Sequence, residues 1–268
     1  MLTAEQLQSI MPLMTAARKT ECLSCLQAAM AEFGIERPAR AAAFLAQLAH
    51  ESGQFRFMEE IWGPTDAQKR YEPPSALAAK LGNTQTGDGR RFKGRGPIQI
   101  TGRANYSRFG GLLGVDLVAE PARAAEAALA FRIAGLFWSK KGLNELADLV
   151  TDEAFKEITR RINGGFNGLA DRRAFYEAAR TVLGVVSTPV TRGGSRGAPT
   201  RVTRTAEEPE FDRGAEAIRR TVRRPARRKR ASTTRAKSSS PSKSAKPPRA
   251  RSAKRSTSRQ GRTPARKR

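Results

Sequence analysis

The sequence predicts a mainly α-helical domain with little sheet, followed by a basic tail that does not fold. Three observations predict this. Apolar residues recur at helical spacing through most of residues 1–185. Only one short run, Ile98-Gln99-Ile100-Thr101, has the alternation of a strand, which would point both isoleucines one way and Gln99 and Thr101 the other. Charge then changes abruptly: residues 1–185 hold 24 Lys+Arg and 20 Asp+Glu, whereas residues 186–268 hold 26 and 5.

The elements follow in chain order. MLTAEQLQSIMPLM places Thr3 and Gln6 as a capping box, with Leu7, Ile10, Met11 and Met14 on one face. It has no basic segment leading into an apolar run, so no signal peptide is expected, and no stretch is apolar enough to span a membrane. A product made in the cytoplasm, and a monomer, is the expectation. Cys22 and Cys25 are expected to be small buried thiols on a helix; with His50 the only histidine, they lack the further ligands zinc needs. Pro38 suits a first helical position, and Ala41, Phe44, Leu45 and Leu48 mark the face of the helix that follows.

Residues 62–97 break this pattern with a Gly-, Pro- and Asn-rich segment, read as a long loop of functional length. Residues 121–139 then predict a helix with Leu129, Ile133, Leu136 and Phe137 as its stripe. Phe155, Ile158 and Ile162 mark another, stopped by Asn163-Gly164-Gly165, and Leu169 to Leu183 forms the last. The folded domain is thus residues 1–185 and the tail residues 186–268, with one weak helical patch in FDRGAEAIRRTVRR ended by Pro225.

The carboxylates near residue 50 carry the chemistry. Glu51 extends the apolar face of the Pro38 helix and sits at its C-terminus; partial burial and the negative helix end both raise the pKa of a carboxyl, which suits a general acid. A second carboxylate follows in FRFMEEI, as Glu59 or Glu60. Two carboxylates across a cleft is the arrangement that hydrolyses glycosidic bonds, and this spacing permits it. His50 has no nucleophile to serve and is expected to be support at the helix end. Trp62 and Tyr71 are open between sugar platforms and core packing.

Four segments in order carry a resemblance: AFLAQLAHESGQFRFMEE, DGRRFKGRGPIQITGRANY, GLFWSKKGLNELAD and ITRRINGGFNGLADRRAFYEAA. Across roughly residues 35–184 the chain resembles glycoside hydrolase family 19, the family of certain chitinases and many bacteriophage endolysins, and its wording is closer to the endolysins. The resemblance implies a lysozyme-like fold with a long cleft-lining loop and an inverting, metal-free hydrolysis of β-1,4 bonds without a cofactor. It assigns Glu51 as the acid and Glu60, with Glu59 as the alternative, as the second carboxylate. It places Thr101 beside the attacking water, and Gln99, Asn105, Tyr106, Asn163 and Arg172 on the substrate side. One departure is visible: endolysins of this type continue E-N-x-N-Y after the second glutamate, whereas this chain reads EIWGPTDAQKRYEP.

Peptidoglycan is the substrate that resemblance favours, with chitin as the alternative; a pore would be needed to carry such an enzyme to the wall. The tail suits a polyanion, whether teichoic acid, lipopolysaccharide, an acidic membrane surface or nucleic acid. It contains no Tyr or Trp, so stacking on bases is unsupported. A third alternative is a polyanion-binding protein with a degenerate hydrolase domain.

Overall fold

A computed structural model describes residues 1–186. The expected tail and its helical patch lie outside the described residues. Two helices open the chain, α1 (Ala4–Ile10) and α2 (Ala16–Glu32), and α1 starts on the Thr3–Gln6 capping box. Next comes α3 (Pro38–Ser52), with Pro38 at its first position. Every residue from Ala41 to Ala49 is buried, so α3 is enclosed on all sides rather than along one stripe. Its alanines let neighbouring helices approach closely, and α11 (Leu169–Leu183) lies along it.

The other wall is α8 (Ala127–Lys140), which packs on α2 and buries an almost continuous run from Leu129 to Trp138. Phe44 of α3 meets Trp138 edge-on at 5.2 Å, and Phe55 meets Phe131 at 5.0 Å. Such pairs add about 0.5–1.5 kcal/mol each beyond the area they bury. The helix expected over 121–139 is interrupted: Pro121–Ala125 is a 3₁₀ turn, and the extended Glu126 separates it from α8.

Residues 62–97 are more ordered than a loop. They hold α4 (Asp66–Lys69), α5 (Ala76–Lys80) and α6 (Asp88–Arg91), the first two capped by the hydroxyls of Thr65 and Ser75. Tyr71 and Leu81, with Trp62 and Leu77 against them, form a small apolar cluster of their own. Then come α7 (Arg103–Leu113), α9 (Leu143–Asp148) and α10 (Asp152–Asn163), the last ended by left-handed Gly164 as the Asn-Gly-Gly signal predicts. Cys22 is fully buried and Cys25 partly so; burial pushes the Cys22 thiol up to about 11.

Among the described residues there is no named strand, only isolated antiparallel bridges joining Glu59 to Arg95 and Arg95 to Ile100. The expected extended run at 98–101 is instead a tight turn. Gln99 is left-handed at φ 54°, its amide donates to the Gly96 carbonyl at 3.0 Å, and Ile98 through Thr101 are all buried. A hairpin between Arg95 and Ile100 decides the backbone there and overrides the local alternation.

Candidate active site

The site begins at the end of α3. Gly53, Gln54 and Phe55 are all left-handed, with φ of 58°, 64° and 59°. Two of them are not glycine, and such backbone costs about 1–3 kcal/mol per residue and persists only where its surroundings impose it. Here they do. The Ser52 hydroxyl donates to the Leu48 carbonyl and accepts from the Phe55 amide at 2.8 Å. The Gln54 side chain accepts from the Leu13 amide at 2.7 Å, and the Phe55 ring is locked in the core. The turn therefore fixes Glu51 before it and the Glu59–Glu60 segment after it.

Glu51 is largely buried, its side chain 14% exposed, and its Oε1 accepts from Arg172 Nη2 at 2.5 Å. Arg172 is enclosed on the second turn of α11, and its other nitrogens reach Gln47 Oε1 at 2.5 Å and the Asn167 carbonyl at 3.2 Å. Burial and the helix end disfavour a charge on Glu51, as the sequence suggests, but a buried guanidinium in contact favours the ionised carboxylate. That opposing influence is what the sequence argument lacked. Asn163 joins the same corner, its amide 3.5 Å from the Asn167 carbonyl.

His50 sits one residue earlier and meets the residue before Arg172: its Nδ1 is 2.7 Å from Asp171 Oδ2. Burial, followed by the Arg172 charge, lowers the His50 pKa against the upward pull of Asp171. A neutral imidazole donating Nδ1–H to the carboxylate is the consistent state, and His50 is support as expected. Its ring packs against Gly168, where a Cβ would overlap it and where φ is +70°.

The second carboxylate is placed by the bridged segment. Glu60 is 7% exposed, and its amide donates to the Gly94 carbonyl at 2.8 Å. Its Oε2 accepts from the Gly94 amide at 3.0 Å, while Oε1 accepts from Gln68 at 3.0 Å and faces the Tyr71 hydroxyl at 3.4 Å. All of these donors are neutral. Glu59 points elsewhere: its side chain is 45% exposed and engages Arg95 at 2.9 Å and Lys93 at 3.3 Å. The two glutamates are thus physically distinct, one embedded in neutral donors and one paired with two cations. Tyr71 is fully enclosed, its ring against Trp62, so it is no sugar platform; Trp62 keeps partial exposure.

Gln99, Thr101 and Asn105 form one chain beside this segment. Gln99 donates to the carbonyls of Gly96 at 2.8 Å and Phe57 at 3.3 Å; the buried Thr101 hydroxyl donates to the Gln99 carbonyl at 3.1 Å; Asn105 donates to the Thr101 carbonyl at 2.8 Å. Tyr106 is fully buried; its hydroxyl donates to the Lys93 carbonyl at 2.6 Å and accepts from Arg95 at 2.9 Å. Burial drives the Tyr106 phenol well above its ordinary pKa, so it acts on the site by holding Arg95.

The predicted residues therefore fall into two groups, Glu51 with Asn163 and Arg172, and Glu60 with Gln99, Thr101, Asn105 and Tyr106. The left-handed turn joins them. Residues the sequence argument missed are Gln47, Thr159, Gln68 and Asp171. For Gln47 there was a signal: it is the one polar residue in AAAFLAQLA, and a polar group in a buried run needs a partner.

A family model described as Chitinase class I matches residues 20–147, which include both glutamates and the 99–106 group. A Haemophilus influenzae protein described as glycosyl hydrolase family 19 domain-containing is 36% identical over 160 residues, covering 51% of this chain and 76% of its own length. The chain belongs to glycoside hydrolase family 19.

Other relatives of this family 19 hydrolase include an Arabidopsis thaliana endochitinase, 40% identical over 125 residues, of which the chain spans 39%. A maize endochitinase B is 35% identical over 127 residues and is likewise spanned over 39% of its length. Among solved structures, chitinase C from Streptomyces griseus superposes with a TM-score of 0.54 at 22% identity, over 70% of this chain and 78% of that one. A class IV chitinase from Zea mays gives 0.53 at 23% identity, over 70% and 95%. These structures share the mainly helical, lysozyme-like fold.

Proposed function

We propose that this family 19 hydrolase cleaves β-1,4 bonds of bacterial peptidoglycan, by direct displacement with water. The observation that carries the chemistry is Glu51, shielded at the end of α3 and held by Arg172, with Glu60 fixed beyond a rigid turn. Glu51 protonates the departing glycosidic oxygen, and Glu60 orients and deprotonates the attacking water. The Thr101 hydroxyl and the Gln99 chain shape the water's side of the cleft; Asn105, Asn163 and Arg172 shape the sugar's side. None of these steps needs a metal or cofactor.

Charge favours peptidoglycan as the substrate. Chitin is uncharged, whereas bacterial walls carry peptide carboxylates and anionic polymers, and this chain has a net charge of +25. Residues 85–110 contain Arg90, Arg91, Lys93, Arg95, Arg103 and Arg108 against a single acid, Asp88, and even with Glu59, which engages Lys93 and Arg95, the positive charge is in excess. The tail adds a larger share and holds the enzyme on the anionic envelope; lipopolysaccharide and nucleic acid are the competing polyanions. The likeness to plant endochitinases favours chitin as the second substrate.

The decisive test is mass analysis of products from purified sacculi and from colloidal chitin. New reducing sugars from sacculi are expected; release from chitin alone overturns the substrate assignment. Deleting residues 190–268 should weaken wall binding steeply at low salt, and unchanged binding overturns the role of the tail.

A further inference from the structure

One turn before Glu51 on α3, Gln47 is buried among apolar residues and belongs to a chain of directed hydrogen bonds. On α10 the Thr159 hydroxyl gives its one proton to the Phe155 carbonyl at 3.0 Å. Towards Gln47 it can therefore only accept, and Gln47 Nε2 donates to it at 2.9 Å. The amide is thereby oriented. Its nitrogen faces Thr159 and its oxygen faces Arg172 Nη1 at 2.5 Å. The reversed amide would set donor against donor at Arg172. Arg172 in turn directs Nη2 at Glu51.

We propose that Gln47 is a positioning residue for the acid: oriented by Thr159, its side-chain oxygen pins one arm of Arg172 so that the other engages Glu51. This rests on the proposed role of Glu51 and deepens it. A guanidinium on a long stem has many directions available, and its planar fork transmits direction only when one side is fixed. With Gln47 as the fixed side, three helices (α3, α10 and α11) jointly set where the charge beside Glu51 lies. That charge acts on Glu51 on α3 and on the adjoining His50, which Asp171 also faces. A displaced guanidinium supports the ionised acid less, so Glu51 holds its proton to higher pH.

The experiment follows carboxyl carbons by NMR in ¹³C-glutamate-labelled full-length protein, with the Glu51 signal assigned by its loss in Glu51→Gln. In Thr159→Val, Glu51 should titrate at least about half a pH unit above wild type, since the amide loses what orients it. Gln47→Met, uncharged and of similar volume, should shift it the same way, because it removes the oxygen that pins Arg172 without adding a charge. Thr159→Ser, which keeps the hydroxyl, should restore the wild-type titration. In turnover of whichever glycan the wild type cleaves, Thr159→Val should lower kcat about tenfold with KM nearly unchanged and move the alkaline limb upward.

Coincident Glu51 titrations in Thr159→Val, Gln47→Met and wild type would overturn the proposal, whatever the melting temperatures. If Thr159→Val does not fold, Gln47→Met decides. Wild-type protein that cleaves neither glycan sinks the proposed function, while the NMR titration still decides this inference.

Discussion

His50 and Glu51, neighbours at the end of α3, are met by Asp171 and Arg172, neighbours near the start of α11, at 2.7 and 2.5 Å. The pairing is in register: base to acid at one position, acid to base at the next. The result is a neutral imidazole beside a carboxylate and a guanidinium beside the Glu51 carboxyl, both on the most extensively packed helix pair among the described residues. Rigidity of the site thus comes from the same contact that holds the fold.

Replacing Glu51 by Gln should separate chemistry from stability. The amide cannot give up a proton to the leaving oxygen, so release of reducing ends should fall by at least about 100-fold. It can still accept from Arg172, but without a charge, and the buried guanidinium is then less well compensated. A loss of about 1–3 kcal/mol in urea unfolding is expected. Retained lysis in a folded Glu51→Gln protein would refute the assignment of the acid.

Glu59 and Glu60 give opposite expectations. Glu60→Gln should lose about 100-fold or more in turnover while binding substrate, because the water loses its base. Glu59→Gln, which removes an exposed partner of Lys93 and Arg95, should stay within a few-fold of wild type. Single-turnover rates on the same sacculi compare them directly. The reverse ranking would transfer the role to Glu59.

How much of this was legible follows the range of the interactions. The long helices α3, α10 and α11 were readable because each carries its own stripe and stop signal; Leu169 to Leu183 is found as expected. The segment 62–97 was not. Its short helices cannot hold themselves, and they depend on side-chain bonds reaching beyond their own turns: Asn83 donates to the Tyr71 carbonyl, Glu72 accepts from the Gly87 amide, and Glu60 from Gln68. Gln99 hid for the same reason, since a hairpin overrides its local alternation. At the site, Glu51 stood out by burial and helix position, but its guanidinium partner lies 121 residues away. Only the motif resemblance, not spacing, brought Arg172 into view.

Gly168 should tolerate no side chain. Alanine there must adopt φ +70° and also displace the His50 ring, and the left-handed backbone alone costs about 1–2 kcal/mol. Gly168→Ala should therefore lose at least about 2 kcal/mol and much of the activity, through a shifted α3 end. Gly165→Ala is the control, since nothing lies within 4 Å of its Cβ position. Equal melting temperatures for the two variants would contradict the packing described.

Acid should weaken the fold in a defined window. The Arg160 and Arg161 guanidiniums hold Glu157 down to about 2, from an ordinary value near 4.5. Asp148, bonded to Arg40, and Glu32, bonded to Arg132, are lowered as well. For Asp88, burial pushes upward, but Arg103 and the amides of Gln85 and Thr84 outweigh it. A carboxyl lowered by folding contributes stability above its unfolded pKa and loses it as pH falls through the folded value. Unfolding free energy should thus decline from about pH 4.5 towards 2. His50 adds a step at higher pH. Its lowered pKa means that the unfolded chain takes up a proton first, below its ordinary 6.5, and stability falls from there through the folded value. Urea midpoints measured across pH 2–7 test both steps. Glu157→Gln should cost about 1 kcal/mol at pH 7, because its partners are largely at the surface, and almost nothing at pH 2. A Glu157→Gln penalty that did not shrink with acidification would show that the guanidiniums are not what stabilises that carboxylate.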